Sequence, residues 1–248
     1  LFPYTTLFRS FYPSQCSGFG NGGNAWNIKK TVVAPVSADG NAFHFYNSCI
    51  GDTSGSHNWS VANLTNSQLT ACWGSTQNNA LPNLYGFAVN NCEGVDFNGC
   101  VGLNNNAVGI IVLGTSRDIK IRGGRYSLNG VVTSSANRAG IQVGSGTEVT
   151  LDGVAAVGVS SSPTQLVGLK VDGGASSLKV LGCELTGNAT APYQFDTVPN
   201  FFTEANNRTG ESTSVASGAG VTLPLMGNVF TITGKIGRAS CRERVWIK

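Results

Sequence analysis

Two acidic and four basic residues in the middle of the chain carry the chemistry that the sequence predicts. The acids are Asp152 and Glu184, and the cations are Lys120, Arg122, Arg125 and Lys179. Two carboxyl groups about 5–9.5 Å apart hydrolyse glycosidic bonds when they are positioned on either side of the bond. We therefore predict that Asp152 and Glu184 supply acid and base, while the four cations grip an acidic glycan.

A purely structural role is the alternative interpretation of the same residues. Arg122 and Asp152 stand at corresponding places of neighbouring sequence repeats, so they would form a surface ion pair worth about 0–1 kcal/mol. His44, one of the chain's 2 histidines, would be exposed to solvent or covered by a loop. Under this interpretation the charged residues stabilise a surface and perform no chemistry.

The elements that position these residues follow from an internal repeat. Its first part reads Gly, apolar residue, any residue, Val, and it begins at Gly86, Gly109, Gly140 and Gly168. Repeats of this kind stack supersecondary units on one another. The spacings between successive units are 23, 31 and 28 residues, so the variation is expected to lie in loops.

Each unit contains two further short segments. A second alternating run follows the first, at Val95-Asp96-Phe97, Ile119-Lys120-Ile121, Val149-Thr150-Leu151 and Leu178-Lys179-Val180. A glycine then marks a turn, at Gly99, Gly123, Gly153 and Gly182, and a third short strand begins near Cys100, Arg125, Val154 and Cys183. Glycine suits corners that need a positive φ or a close backbone approach.

Three strands per repeat indicate an all-β fold, a right-handed single-stranded parallel β-helix. Alternation places the outer residues of each triplet inward and the middle residue on the surface. The sequence thus predicts an internal stack of Phe87, Ile110, Ile141 and Leu169. The outward column beside it would be His44, Ala88, Ile111, Gln142 and Lys170, which has no carboxylate. A β-sandwich is the rival fold, and the in-phase triplets argue against it.

The domain organisation follows from the extent of the repeat. We predict a β-helix over residues 11–210, with an earlier coil made of segments near Phe45, Trp59 and Leu69. Residues 211–220 have the Ser, Gly and Ala composition of a linker. Residues 221–234 alternate like the start of a small, truncated β module.

Both ends of the chain are expected to be artefacts. Residues 1–10 translate back into a short-read sequencing adapter, and the reverse complement of that adapter encodes residues 236–245 in another frame. We therefore exclude residues 1–10 and 235–248 from fold reasoning. Without them, 16 basic residues fall to ten and 13 acidic residues fall to twelve. The basic tail thus gives no reason to predict a nucleic-acid partner.

Six cysteines remain once the ends are removed: Cys16, Cys49, Cys72, Cys92, Cys100 and Cys183. An even count permits disulfides, but buried free thiols are the favoured interpretation. No acidic loop suits calcium, so no metal or cofactor is predicted. No apolar run reaches the roughly 18 residues of a membrane helix. Trp59, Trp73 and Tyr85 would either cap the core or offer sugar-stacking surfaces.

The repeated coil resembles the pectate-lyase-like parallel β-helix superfamily, which includes phage tail-spike proteins and polysaccharide-degrading enzymes. The resemblance covers residues 26–210. It implies binding, and often cleavage, of long polysaccharides along the helix flank. The Asp-Asp and Gly-His-Gly motifs of the pectin hydrolases are absent from this sequence, so no catalytic residue is transferred by motif.

Three functional hypotheses stay open. The first is a phage or prophage tail-spike-like protein that binds and depolymerises a cell-surface polysaccharide, for which the resemblance implies a homotrimer on the virion tail. The second is a secreted bacterial lyase or glycoside hydrolase acting as a monomer on a bacterial or plant polysaccharide. The third is a non-enzymatic β-helix that serves as an adhesin or spacer.

Overall fold

The computed structural model describes residues 13–19, 23–29, 44–52, 55–75, 84–132, 137–158, 164–209, 213–216 and 230–233. The described elements are all β-strands, and the strands pair in parallel. Three stacked sheets form a parallel β-helix with three strands per coil, as the repeat predicts. None of the described segments is a helix long and apolar enough to cross a membrane.

The first sheet has seven strands. They are β2 (Trp26–Lys29), β5 (Trp59–Ala62), β8 (Tyr85–Asn90), β11 (Val108–Leu113), β13 (Ala139–Val143), β15 (Val167–Val171) and β17 (Ala191–Phe195). The second sheet also has seven strands. They are β3 (Phe45–Asn47), β6 (Thr65–Thr70), β9 (Glu93–Asn98), β12 (Ile119–Arg122), β14 (Glu148–Asp152), β16 (Ser177–Leu181) and β18 (Phe201–Ala205).

The third sheet is shorter. It contains β1 (Ser17–Phe19), β4 (Ile50–Asp52), β7 (Trp73–Ser75) and β10 (Val101–Gly102). Beyond Val101 it continues as single parallel bridges through Arg125, Ala155, Glu184 and Arg208. The predicted third strand is therefore regular in the first coils and reduced to one bridging residue per coil in the later ones.

The core is built from columns of equivalent residues. The predicted stack of Phe87, Ile110, Ile141 and Leu169 is confirmed, because these residues are register partners with no exposed surface. The column begins with Trp26 and Trp59, whose rings stack at 5.0 Å between centroids. Burying such columns removes apolar surface from water and supplies the main stabilising term of the fold.

Glycine opens the repeat because two backbones meet there. A Cβ on Gly109 would lie 2.7 Å from the carbonyl oxygen of Gly140 and 2.9 Å from that of Gly102. The first and third strands therefore pack backbone against backbone at this corner. The turn glycines have the predicted positive φ: Gly123 has a φ of +58°, with open space beside it.

A ladder of amides, buried except for the half-buried Asn188, lines the corner between the third and first strands. Its members are Asn58, Asn105, Asn129, Gln165 and Asn188. The side chain of Asn129 donates to Gly102 O at 3.1 Å and to Gln165 Oε1 at 3.2 Å, and its oxygen accepts from Asn105 N at 3.1 Å. The ladder satisfies backbone groups that the turns leave without strand partners.

The early coil differs from its predicted phase. Trp59 pairs with Phe87 in the first sheet, whereas Phe45 pairs with Gln68 in the second sheet. His44 therefore precedes a second-sheet strand, and Ser60 occupies the first-sheet place that was predicted for it. The cause is that one alternating triplet resembles another, so periodicity alone does not say to which sheet a degenerate strand belongs.

The outer face of the first sheet is covered and not solvent-exposed as predicted. Ile111 and Gln142 are each 2% exposed. Ile111 joins Ala107, Val108, Ala139 and Val167 in a second apolar cluster outside the coil. The first sheet is therefore buried on both faces at its centre, which its continuous apolar runs permit.

The C-terminal segments lie largely outside the described residues. Within the predicted linker, Thr213–Ala216 forms β19, which pairs in parallel with β20 (Phe230–Thr233). The predicted boundaries at residues 210–234 stay predictions. The ends predicted to be artefacts, residues 1–10 and 235–248, lie outside the described residues.

Candidate functional site

Two carboxylates meet on the outer face of the first sheet. Asp172 and Asp196 each follow the last residue of a strand, β15 and β17, which are register neighbours through Val171 and Phe195. Their backbones continue the ladder, since Asp172 N donates to Val143 O and Asp196 N to Val171 O, both at 2.9 Å. The fold thus places the same kind of side chain at the same place on two successive coils.

Lys170 lies between the two acids. Its Nζ is 2.8 Å from Asp172 Oδ1 and 3.6 Å from Asp196 Oδ2. It also donates to Asn137 Oδ1 at 2.8 Å. The lysine side chain is 13% exposed, against 33% for Asp172 and 46% for Asp196. The cation is therefore largely enclosed while the carboxylates stay open to solvent on one side.

Two amides complete the acid pair. Gln142 donates its Nε2 hydrogen to the Asp172 carboxylate, and Gln194 donates to Asp196 Oδ1 at 2.8 Å. Gln142, Lys170 and Gln194 are register partners on three successive strands. The Oε1 atom of the buried Gln142 has no hydrogen-bond partner. A buried acceptor without a partner is costly, so the contact with Asp172 is made at the expense of an unsatisfied amide oxygen.

The electrostatics of the pair hold Asp196 ionised. The pKa of Asp196 is lowered, chiefly by the hydrogen bond from Gln194. Burial acts in the opposite direction, and the contacts with Asp172 and Lys170 lower the pKa further. The pKa of Tyr85 is raised by burial and by the charge of Asp172. Tyr85 stacks on His57 with 4.7 Å between ring centroids, and burial lowers the pKa of that histidine.

This arrangement is able to perform acid–base chemistry on a polar substrate. A carboxylate held ionised accepts a proton or a hydroxyl hydrogen bond. The second carboxylate, Asp172, contacts the same lysine and offers a further acceptor to a ligand hydroxyl group. We name Asp172, Asp196, Lys170, Gln142 and Gln194 the acid-pair site.

The sequence-predicted cations lie elsewhere. Lys120, Arg122 and Lys179 are on the outer face of the second sheet. Arg122 is the register partner of Asp152, but its salt bridge is with Asp96, at 2.7 Å. Lys120 pairs with Asp118 at 2.9 Å. These ion pairs are open to solvent and therefore contribute little to stability.

Arg125 and Glu184 belong to the third face. Both are bridging residues of the third sheet. Glu184 forms a salt bridge with Arg208, with 3.4 Å between Glu184 Oε1 and Arg208 Nη1. Asp152 ends β14 on the second sheet. Turns such as the one at Gly153 separate the two faces, so the six predicted residues are divided between two surfaces. The roles predicted for Asp152 and Glu184 stay predictions.

The aromatic residues divide between core and surface. Trp59 has no exposed surface and donates its Nε1 hydrogen to Trp73 O at 2.8 Å, so it is part of the core, beneath Trp26. Trp73 is 36% exposed on the third face. A separate depression of about 410 Å³ near Tyr46 and Asn47 has no carboxylate among the described residues that line it. It is therefore a weaker candidate for acid–base chemistry than the acid-pair site.

Sequence reasoning missed Asp172 and Asp196 because it stopped at the middle residue of each triplet. The signal is present in the sequence, where Lys170-Val171-Asp172 and Gln194-Phe195-Asp196 repeat the order polar, apolar, Asp. Continued alternation puts the polar residue and the Asp on one face. Counting one residue past the strand would have found both acids.

No group of three or more His, Cys, Asp or Glu side chains in the described part of the chain is placed to hold a metal ion. In comparisons with known proteins, no family model, curated protein or solved structure matches this chain.

Proposed function

We propose that this parallel β-helix binds a polysaccharide and hydrolyses it at the acid-pair site. The observation that carries the proposal is the contact of Asp172 and Asp196 with Lys170 between them on neighbouring coils. Carboxylates and amides accept and donate hydrogen bonds to hydroxyl groups. Their spacing along successive coils suits a linear polymer that runs along the flank of the β-helix.

In the proposed mechanism, Asp196 is the base and Asp172 is the acid. Asp196 is kept ionised by its neighbours, so it activates the attacking water. Asp172, on the preceding coil, is assigned the delivery of a proton to the leaving glycosidic oxygen, the role of the acid in glycoside hydrolysis. Lys170 holds both carboxylates in place, and Gln142 orients Asp172.

Paired substitutions distinguish this site from the sequence-predicted one. Asp172→Asn and Asp196→Asn remove the charge at the acid-pair site and keep the side-chain size, and Asp152→Asn with Glu184→Gln does the same at the sequence-predicted pair. The wild-type chain and the variants are incubated with purified bacterial surface polysaccharides and pectate, and new reducing ends and unsaturated products are measured. Loss of product in D172N and D196N alone supports the proposal.

The other outcomes are equally informative. Loss in D152N and E184Q alone places the chemistry at the sequence-predicted residues. Binding without product in every variant supports an adhesin or spacer. Unchanged glycan affinity of Arg122→Ala contradicts a role for the second-sheet cations in gripping the polymer.

The resemblance to tail-spike proteins supports a more specific form of the proposal. In that form the protein is a homotrimer on a virion tail and its target is a bacterial cell-surface polysaccharide. The alternative is a secreted monomeric enzyme that acts on a bacterial or plant polymer. Neither form involves nucleic acid, a cofactor or insertion into a membrane.

A further inference from the structure

Four cysteines stand in one column at the start of the third strand. Cys16, Cys49, Cys72 and Cys100 each precede a residue of the third sheet, and those residues, Ser17, Ile50, Trp73 and Val101, are register partners. Successive backbones are linked by Ile50 N to Cys16 O, Trp73 N to Cys49 O and Val101 N to Cys72 O, at 2.8–2.9 Å. All four are free thiols. We call them the thiol column.

The column runs from the surface into the core. Cys16 is exposed, whereas Cys49, Cys72 and Cys100 are buried. Neighbouring strands of a sheet lie about 4.8 Å apart, which is inside the Cα–Cα range of roughly 4.4–6.8 Å that a disulfide spans. Adjacent members of the thiol column therefore meet the first geometric requirement for a disulfide.

Cys72 and Cys100 differ in their electrostatics as a nucleophilic thiol and its hydrogen-bond donor do. The pKa of Cys72 is lowered, chiefly by a hydrogen bond from Cys100, against the effect of burial. The pKa of Cys100 is raised well above its ordinary value by burial and by Cys72. The hydroxyl of Tyr126 is fully buried without a hydrogen-bond partner. The charges of Cys100 and Cys72 contribute to the raised pKa of Tyr126, so an orphan polar group lies near the thiols.

The remaining described cysteines provide an internal contrast. Cys183 occupies the same column further along, but the bridges of Ala155, Glu184 and Arg208 place Val154 and Asn207 beside it. Cys92 lies at a different corner, where its thiol donates to Val61 O at 3.5 Å. Neither has a cysteine on an adjacent coil at its own position.

We propose that the thiol column is a redox site at which a small-molecule disulfide oxidises Cys72 and Cys100 to a disulfide between neighbouring coils. The thiolate of exposed Cys16 attacks the reagent and releases one reduced thiol. Cys49 then attacks the sulfur of Cys16 and releases the second. Cys72 attacks Cys49, freeing Cys16, and Cys100 attacks Cys72, freeing Cys49. Two protein thiols are oxidised and one reagent disulfide is reduced to two thiols, which keep the two protons.

The test uses the intact chain and oxidised glutathione as the probe. After exposure under native conditions, the reaction is quenched with acid, the protein is unfolded, free thiols are alkylated in denaturant, and linked peptides are identified by mass spectrometry after digestion. We expect a Cys72–Cys100 linked peptide that reductant removes, with Cys92 and Cys183 alkylated. The linked peptide is lost in Cys100→Ser and forms more slowly in Cys16→Ser, while Cys183→Ser is the matched control and leaves it unchanged.

Two results would overturn the proposal. One is full alkylation of Cys72 and Cys100, after acid quench and unfolding, in wild-type chain that was exposed to the oxidant for a prolonged time under native conditions. The other is indiscriminate linkage that includes Cys92 or Cys183, which indicates oxidation of unfolded chains. Because both results are read from the wild-type protein, the test does not depend on whether a substituted chain folds.

Discussion

At the scale of single residues, the interior of this β-helix contains polar side chains that are stabilising only as a connected set. Asn105, Asn129 and Gln165 are completely buried, and each bonds to the next. A buried donor that loses its partner costs about 1–3 kcal/mol. Loss of any one member of the ladder therefore leaves its neighbours with unsatisfied buried groups and destabilises the fold.

Asn129→Ala tests that dependence. The substitution leaves Asn105 N and Gly102 O without their present partners, so we expect the free energy of unfolding to fall by at least about 2 kcal/mol. Chemical denaturation followed by tryptophan fluorescence measures the change. Asn98→Ala, at a half-buried position on the second sheet, is the control and should stay near the wild-type value.

The two histidines give the protein a pH dependence of stability. Burial lowers the pKa of His44 and of His57 from the ordinary value of 6.5. The unfolded chain therefore binds protons more readily than the folded one, and stability is lost as the pH falls below 6.5 toward the folded pKa values. Asp196 contributes in a separate window, because its lowered pKa stabilises the fold above 3.8 and that stability is lost at lower pH.

The expected measurement is a set of urea unfolding curves between about pH 7.5 and pH 5. His57→Gln should reduce the loss of stability over this interval, and the double variant with His44→Gln should nearly abolish it. An unchanged slope in the double variant would show that burial does not perturb these imidazoles.

At the scale of the strand, the repeat is held by close approach between the first and third sheets. Gly74 lies against Gly86 and Gly102 against Gly109, each with an added Cβ within 2.8 Å of a carbonyl oxygen. A side chain at such a corner forces two backbones apart. The opening glycine of each repeat is consequently a packing requirement and not a turn.

Gly109→Ala should accordingly destabilise the protein by about 1–3 kcal/mol, the usual cost of overpacking. The matched control is Gly174→Ala, where an added Cβ meets nothing within 4 Å and φ is not positive. Thermal unfolding of the two variants beside the wild type measures the difference. Equal midpoints for G109A and G174A would disprove the close approach.

The strands also show what the sequence was able to predict. The alternating triplets predicted the three sheets and the Phe87 to Leu169 column, because a strand turns successive side chains to opposite faces. The glycine after the second run predicted the positive φ of Gly123, because glycine adopts that conformation without a steric cost. The covered outer face around Ile111 was not predictable, because alternation assigns a residue to a face and does not say whether that face is buried. The acid pair of Asp172 and Asp196 was within reach of the pattern, whereas the Lys170 contacts required the three-dimensional register.

At the scale of the whole molecule, strands β1 to β18 form one continuous stack with its core inside the coils. The second-sheet face is polar and exposed, and the third face carries the exposed Ile50 and Trp73 next to Val101. Arg125 follows on the next coil. Three faces of different chemistry run side by side along the axis, which allows ligand binding and subunit contact to be separated.

Sedimentation equilibrium tests the proposed assembly. We expect the mass of a trimer, three times the 25.8 kDa of the chain, if the tail-spike form of the proposal is correct. A monomeric mass favours the secreted enzyme. Far-ultraviolet circular dichroism on the same sample should show β-structure, and a strong helical signal would contradict the fold itself.

The inward column that begins with Trp26 and Trp59 has a consequence for how this molecule changes over evolutionary time. Its successive members are Trp, Trp, Phe, Ile, Ile, Leu and Tyr, so size and shape vary freely while apolar character is kept. Each coil constrains the apolar character of this inward position and not its identity, whereas the opening glycine is constrained in identity. A related chain can therefore differ at most of these inward positions, or have a longer loop, and still form the same stacked coils.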